Sequence, residues 1–157
     1  MSSSQKYFGK YRGQVIDNND PLMLGRIRAK VPAVLGDNDT GFALPCSPYA
    51  GNGVGFFFIP SVGANVWIEF EAGNPDMPIW SGGFWGTGET PRVPIPPGVN
   101  VLKTDSVTIK FEAGGITVES SAGLKITMIE REIVLTYGAS SFKFPFGTRR
   151  PSKIVPL

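Results

Sequence analysis

The sequence predicts an all-β chain, and three observations carry that prediction. Its 157 residues include 20 Gly and 14 Pro, so breakers interrupt any long helix. Apolar and polar residues alternate with a period of two, as in Val66-Trp67-Ile68-Glu69-Phe70, and no window sustains a 3.6-residue pattern. Turn clusters of Gly, Pro, Asn and Asp recur between those runs. The length implies one domain, or one domain with an appendage.

The elements follow in order. Tyr7 to Asp17 reads as a first strand, with Tyr7, Gly9, Tyr11, Gly13 and Val15 on one face. Two glycines inside one strand imply curvature or a close backbone approach. Asp17 to Pro21 is a turn, because Asp and Asn side chains bond their own backbone. It lacks the Gly and the closing Glu of an EF-hand calcium loop. Gly25 to Pro32 is a second strand, with Ile27, Ala29 and Val31 facing one way and Arg26, Arg28 and Lys30 the other. A loop over Leu35 to Gly41 leads to a third strand, Phe42 to Cys46, and a glycine-rich turn, Tyr49 to Gly53. Phe56 to Ile59 is a short apolar strand stopped by Pro60, and Ser61 to Gly63 turns the chain. Ala64 to Ala72 alternates, with Val66, Ile68 and Phe70 inward and Trp67, Glu69 and Glu71 outward. Gly73 to Asp76 is a turn before a last strand from Met77 to Phe84. About six strands in roughly eighty residues suit a small curled barrel of the OB type, which closes a core without long free edges.

The composition then shifts. Gly86 to Thr104 reads as a linker, where Pro91, Pro94, Pro96 and Pro97 favour an extended, semi-rigid spacer. Beyond it come five short alternating strands: Val107 to Phe111, Ile116 to Ser120, Leu124 to Met128, Ile133 to Tyr137, and Phe142 to Phe144. One strand plus one tight turn is repeated internally. So short a segment has little core of its own, and a lone meander exposes its edges. Three copies winding about one axis solve both difficulties. Val107, Ile109, Ile116, Val118, Leu124, Ile126, Ile133 and Leu135 would then meet on the axis, with Lys110, Glu119, Lys125 and Thr136 outside. The expected organisation is an OB-fold domain over residues 1–86, a Pro-rich linker over 87–105, and a trimeric β-helix or β-prism stalk with its tip over 106–157.

Charge and residue chemistry narrow the function. A net charge of +2 gives no electrostatic case for strong nucleic-acid or membrane-surface binding. No run approaches the ~18 apolar residues of a membrane helix, and no signal peptide is visible, so a cytoplasmic origin is the default expectation. The chain has no histidine, which removes Ser-His-Asp and Cys-His pairs and every His-ligated metal site. Cys46 is the only cysteine and reads as a small buried residue. Glu69 and Glu71 are spaced like a paired-carboxylate site, but such neighbours on a strand more often form a solvated face or pair with bases on the next strand, here Arg26, Arg28 and Lys30. The same basic stripe with Phe56, Phe57 and Trp67 offers cations and stacking rings to single-stranded nucleic acid. Cross-strand pairing and subunit contact is the plainer reading, with Trp67 as an interface residue. No catalytic residue, metal or cofactor is expected.

Six pieces in fixed order resemble a known family. They are Tyr7-Phe-Gly-Lys-Tyr-Arg-Gly13, Asp17-Asn-Asn-Asp-Pro-Leu-Met-Leu-Gly-Arg-Ile-Arg28, Val31-Pro32, Ala43-Leu-Pro-Cys46, Gly63-Ala-Asn-Val-Trp-Ile-Glu-Phe-Glu71 and Pro78-Ile-Trp-Ser-Gly82. Together they resemble the N-terminal OB domain of phage baseplate spikes: the baseplate assembly protein V family, the spike of T4-like phages, and the VgrG proteins of type VI secretion. The resemblance covers about residues 7 to 85. It implies a trimeric, non-enzymatic central spike in a virion tail baseplate, made in the host cytoplasm, or at the tip of a related injection machine. The implied partners are its own copies, a hub or tail-tube protein, a separate tip protein, and transiently the target envelope; nucleic acid is not among them. The family's His-x-His metal tip has no counterpart here, and its lysozyme module does not fit in this length. A single-stranded nucleic-acid-binding OB protein is the alternative, and a small carbohydrate-binding or hydrolytic β-protein a third.

Overall fold

Strand β1 (Tyr11–Asp17) lies inside the first sheet of the computed structural model, which describes residues 5–91, 98, 100–129, 132–145 and 155–156. The chain divides into two compact units, Met1–Gly88 and Glu89–Leu157. In the first, β1 is followed by β2 (Arg28–Lys30), helix α1 (Pro32–Leu35), β3 (Leu44–Pro45), β4 (Ala50–Gly51), β5 (Val54–Gly55), β6 (Asn65–Phe70) and β7 (Pro78–Gly83). Five of these strands form one sheet in the order β2-β1-β6-β7-β3; β3 runs parallel to β7 and the other pairs are antiparallel. β4 and β5 form a separate hairpin.

Alternation places the core. Val66, Ile68 and Phe70, predicted to face inward, are buried, as are Ile27, Ala29 and Val31, predicted to share one face, together with Val15 and Ala43. The expected close approach at Gly13 is real: a Cβ there would sit 2.9 Å from Ile68 Cγ1 and 3.2 Å from the Lys30 carbonyl oxygen. Two bulges curl the sheet into a half-barrel, one between Val15 and Asp17 and one between Val66 and Ile68. Gly82, opposite the second, takes φ +105°. The polar loop after α1 is fastened by buried Thr40, whose Oγ1 accepts the Ala29 N–H at 2.9 Å while its own N–H donates to the Ala29 carbonyl at 2.9 Å.

Several expectations need correction. β1 begins at Tyr11 rather than Tyr7, because Gly9 at φ +97° breaks the extended path. Phe56 to Ile59 is not a strand. The hairpin takes the pairing instead, the Phe56 N–H donates to the Tyr49 carbonyl at 2.8 Å, and Phe56, Phe57 and Phe58 are exposed. An apolar run without alternation states burial tendency but not partner. Pro32, expected to end the second strand, instead starts a helical turn that runs to Leu35, where a loop is expected to begin, in the position where proline suits a helix. Glu71 lies in a 3-10 turn, Glu71–Gly73, rather than on the face of Glu69. Cys46 is exposed, not buried.

The second unit is an antiparallel meander of β8 (Asn100–Lys103), β9 (Val107–Glu112), β10 (Gly115–Ser120), β11 (Leu124–Ile129), β12 (Glu132–Tyr137), β13 (Ser140–Pro145) and β14 (Val155–Pro156), adjacent in chain order. The five predicted strands are all present. β8 lies within the stretch read as spacer, where Asn100 to Lys103 pairs with Phe111 to Thr108. Of the linker prolines, Pro94, Pro96 and Pro97 fall outside the described residues, as do 146–154 and 157 of the expected tip.

Candidate assembly surfaces

Register decides which side chains share a face of the second sheet, since directly paired residues and their i±2 neighbours point the same way. Phe111 pairs with Ile116, Ile116 with Met128, Met128 with Ile133, and Ile133 with Phe144. The next row runs Leu102, Ile109, Val118, Ile126, Leu135, Phe142. Val107 pairs with Ser120 and Leu124 with Tyr137 on the same side. All eight predicted axis residues, Val107, Ile109, Ile116, Val118, Leu124, Ile126, Ile133 and Leu135, therefore lie on one face. Leu102, Phe111, Met128, Phe142 and Phe144 extend it; these were not singled out in the sequence, although the same alternation marks them.

That face is partly open, its remaining residues being half-buried. Phe111 and Leu124 are each 46% exposed, Phe144 41% and Phe142 39%. The opposite face is mostly polar, with Val101, Ile129 and Val134 set among its charged and hydroxyl side chains. Glu119 lies 3.1 Å from both Lys110 and Lys125, and Lys143 lies 3.3 Å from Glu132. Hydrogen bonds from Lys125, then Lys110, hold the Glu119 carboxyl below the usual glutamate range. Buried Thr117 Oγ1 lies 3.5 Å from Glu112 Oε2. A sheet with one wet face and one apolar face must cover the second against something.

On the first unit, Trp67 is half-buried on the outward face of β6. Its cross-strand partner Arg12 places the guanidinium 5.4 Å from the Trp67 ring centre and 4.9 Å from that of Phe84, and the two rings lie 4.7 Å apart. Beside them Lys10 Nζ lies 3.1 Å from Glu69 and donates to Ser81 Oγ at 2.7 Å. The bond from Lys10, then that from Ser81, lowers the Glu69 pKa. The expected pairing of Glu69 and Glu71 with Arg26, Arg28 and Lys30 does not form, because β1 stands between β2 and β6.

The basic stripe is instead used locally. Arg26 makes two bonds to Asp20 Oδ1, at 2.6 and 3.0 Å, and lies 4.7 Å over the Phe42 ring. Asp20 also accepts the backbone N–H groups of Leu22, Leu24 and Arg26 at 3.0, 2.8 and 3.2 Å. Arg26 first, opposed by desolvation and then helped by those amides, holds the Asp20 carboxyl far below the ordinary aspartate range. Arg28 lies 3.5 Å from Asp39. The turn expected over Asp17 to Pro21 is thus a carboxylate-centred loop. Among the described residues no cluster of His, Cys, Asp and Glu could hold a metal, and no helix is long and apolar enough to cross a membrane.

No curated protein matches the chain. A family model does match, over residues 11–85: the Type VI secretion system/phage-baseplate injector OB domain. The matched span runs from the first residue of β1 to just past β7, which is the curled sheet and its hairpin. Over those residues, a little under half of the chain, it matches the phage-baseplate and Type VI secretion injector OB domain.

Proposed function

We propose that this chain is a central spike of a contractile-tail baseplate or related injection machine, acting as a non-enzymatic homotrimer. The carrying observation is the joining of an injector OB domain to a sheet whose apolar face leaves Val107, Phe111, Leu124, Met128, Phe142 and Phe144 exposed. Three such faces turned to a common axis form a dry core and leave the Lys110–Glu119–Lys125 ladder in water. The OB units dock on a hub or tail-tube protein, and the stalk points toward the target envelope with a separate tip protein at its end. The work comes from sheath contraction. The stalk transmits load because its backbone groups are satisfied in the ladder and its side chains are packed.

Binding of single-stranded nucleic acid needs unpaired cations beside accessible rings. Here Arg26 and Arg28 each face a carboxylate, and Arg12 lies over Trp67. Paired with Lys10, Glu69 lacks a second carboxylate on its own strand face for glycoside hydrolysis. Electrophoresis of unboiled protein and a gel shift test the assignment together. An SDS-resistant trimer that shifts no oligonucleotide is expected; a monomer that shifts oligonucleotides at moderate salt would overturn it.

A further inference from the structure

We propose that an apolar groove on the OB unit is a second contact between copies, occupied by a neighbouring copy of this chain. The inference rests on the trimer reading and adds a surface to it. The groove, about 1120 Å³, is lined by the β4–β5 hairpin, the Phe56 to Ile59 segment, the Met23-Leu24 tip and Cys46. None of its lining residues is charged. Ser47 Oγ lies 3.0 Å from both the Tyr49 and Phe56 carbonyl oxygens and fastens the hairpin base. Phe56 and Phe58 stack at 4.5 Å.

The surface is held open by design of its backbone. Met23 sits at φ +54°, unusual for a residue with a side chain, and the Asp20 carboxylate pins the amides on either side of it. The strained tip presents Met23 at 85% exposure instead of folding it inward. Phe57 is 65% exposed, Tyr49 63% and Val54 55%.

Size and chemistry select the occupant. Seven large apolar side chains at about half exposure or more place on the order of 700 Å² in water. A monomer's largest apolar patch is usually ~300–600 Å², while one side of a standard interface is ~800 Å². Interfaces between permanent copies are the more apolar class, and a charge-free lining matches them.

Cys46 is the only cysteine, is exposed in the single chain and lines the groove, so it reports its occupancy. The full chain is labelled with a maleimide, with its mass measured in the same buffer and the urea-denatured chain as reference. A trimer with Cys46 shielded, in which Phe57→Glu or Val54→Lys restores labelling, is the expected result. Both substituted side chains are exposed, so the core is not touched. A trimer whose Cys46 reacts as fast as in denatured chain overturns the groove contact, leaves the trimer standing, and makes the groove available to another protein such as the hub. A shielded Cys46 that neither variant releases also overturns it. A monomer overturns both readings.

Discussion

Replacing Phe142 by Ala tests whether the apolar sheet face is where copies meet. Phe142 pairs with Leu135 in the middle row of that face and is 39% exposed in the single chain. A phenylalanine side chain offers ~200 Å², so ~80 Å² remains to be covered by neighbours. At ~25 cal/mol per Å² that is about 2 kcal/mol per copy. Three copies lose about 6 kcal/mol, which lowers the monomer–trimer association constant by roughly 10⁴. Sedimentation equilibrium over a concentration series reads that constant. Lys125→Ala, on the opposite face, is the control, because an ion pair in water contributes ~0–1 kcal/mol. The reasoning is refuted if Phe142→Ala leaves the constant unchanged, or if both variants shift it equally.

Other outcomes follow from local geometry. A methyl group at Gly115 would overlap the Met128 carbonyl oxygen across the β10–β11 pair. Gly115→Ala should destabilise the second unit by on the order of 4 kcal/mol or more and leave the first unit's amide-exchange protection intact; an unchanged second unit contradicts the register. The carboxyls of Asp20, Glu69 and Glu119 are lowered in the folded chain. Their stabilisation is therefore complete above the ordinary carboxylate range and is lost as acid protonates them, so melting temperature should fall below about pH 4. Asp20→Asn should flatten that fall, and an unaltered pH slope would remove Asp20 from the account. Trp67→Ala should weaken association in sedimentation while far-UV circular dichroism shows a folded domain; an unfolded variant would make the Arg12–Trp67–Phe84 stack structural.

The inward faces of both units were legible because they obey the simplest rule, alternation against a buried side. Val66, Ile68 and Phe70 are buried where period two puts them, and the same period gathers Ile109, Val118, Ile126 and Leu135 on one face. Partner choice was not legible. Nothing in the local sequence says that β1 separates β2 from β6, so the bases of Arg26 to Lys30 were matched to Glu69 instead of Asp20 and Asp39. Lys10 and Arg12, the true cross-strand neighbours of Glu69 and Trp67, sit on a strand of unremarkable charge. The Phe56-Phe57-Phe58 run was read as a strand because three aromatics signal burial. Here it lies exposed along a groove, because an apolar run without alternation states a burial tendency but no partner within the chain. Cys46, expected to be buried beside Pro45, is exposed on the same groove.

The central claim is that the open face of Val107 to Phe144 closes only among copies. Light scattering of the full chain, read together with Ile126→Asp, addresses it most directly. Ile126 sits between Val118 and Leu135 on that face. The account predicts three times the chain mass for the parent and its loss in the variant, because a carboxylate cannot enter a dry axis unpaired. A parent that stays at one chain mass at all concentrations, or a variant that remains trimeric, would contradict it.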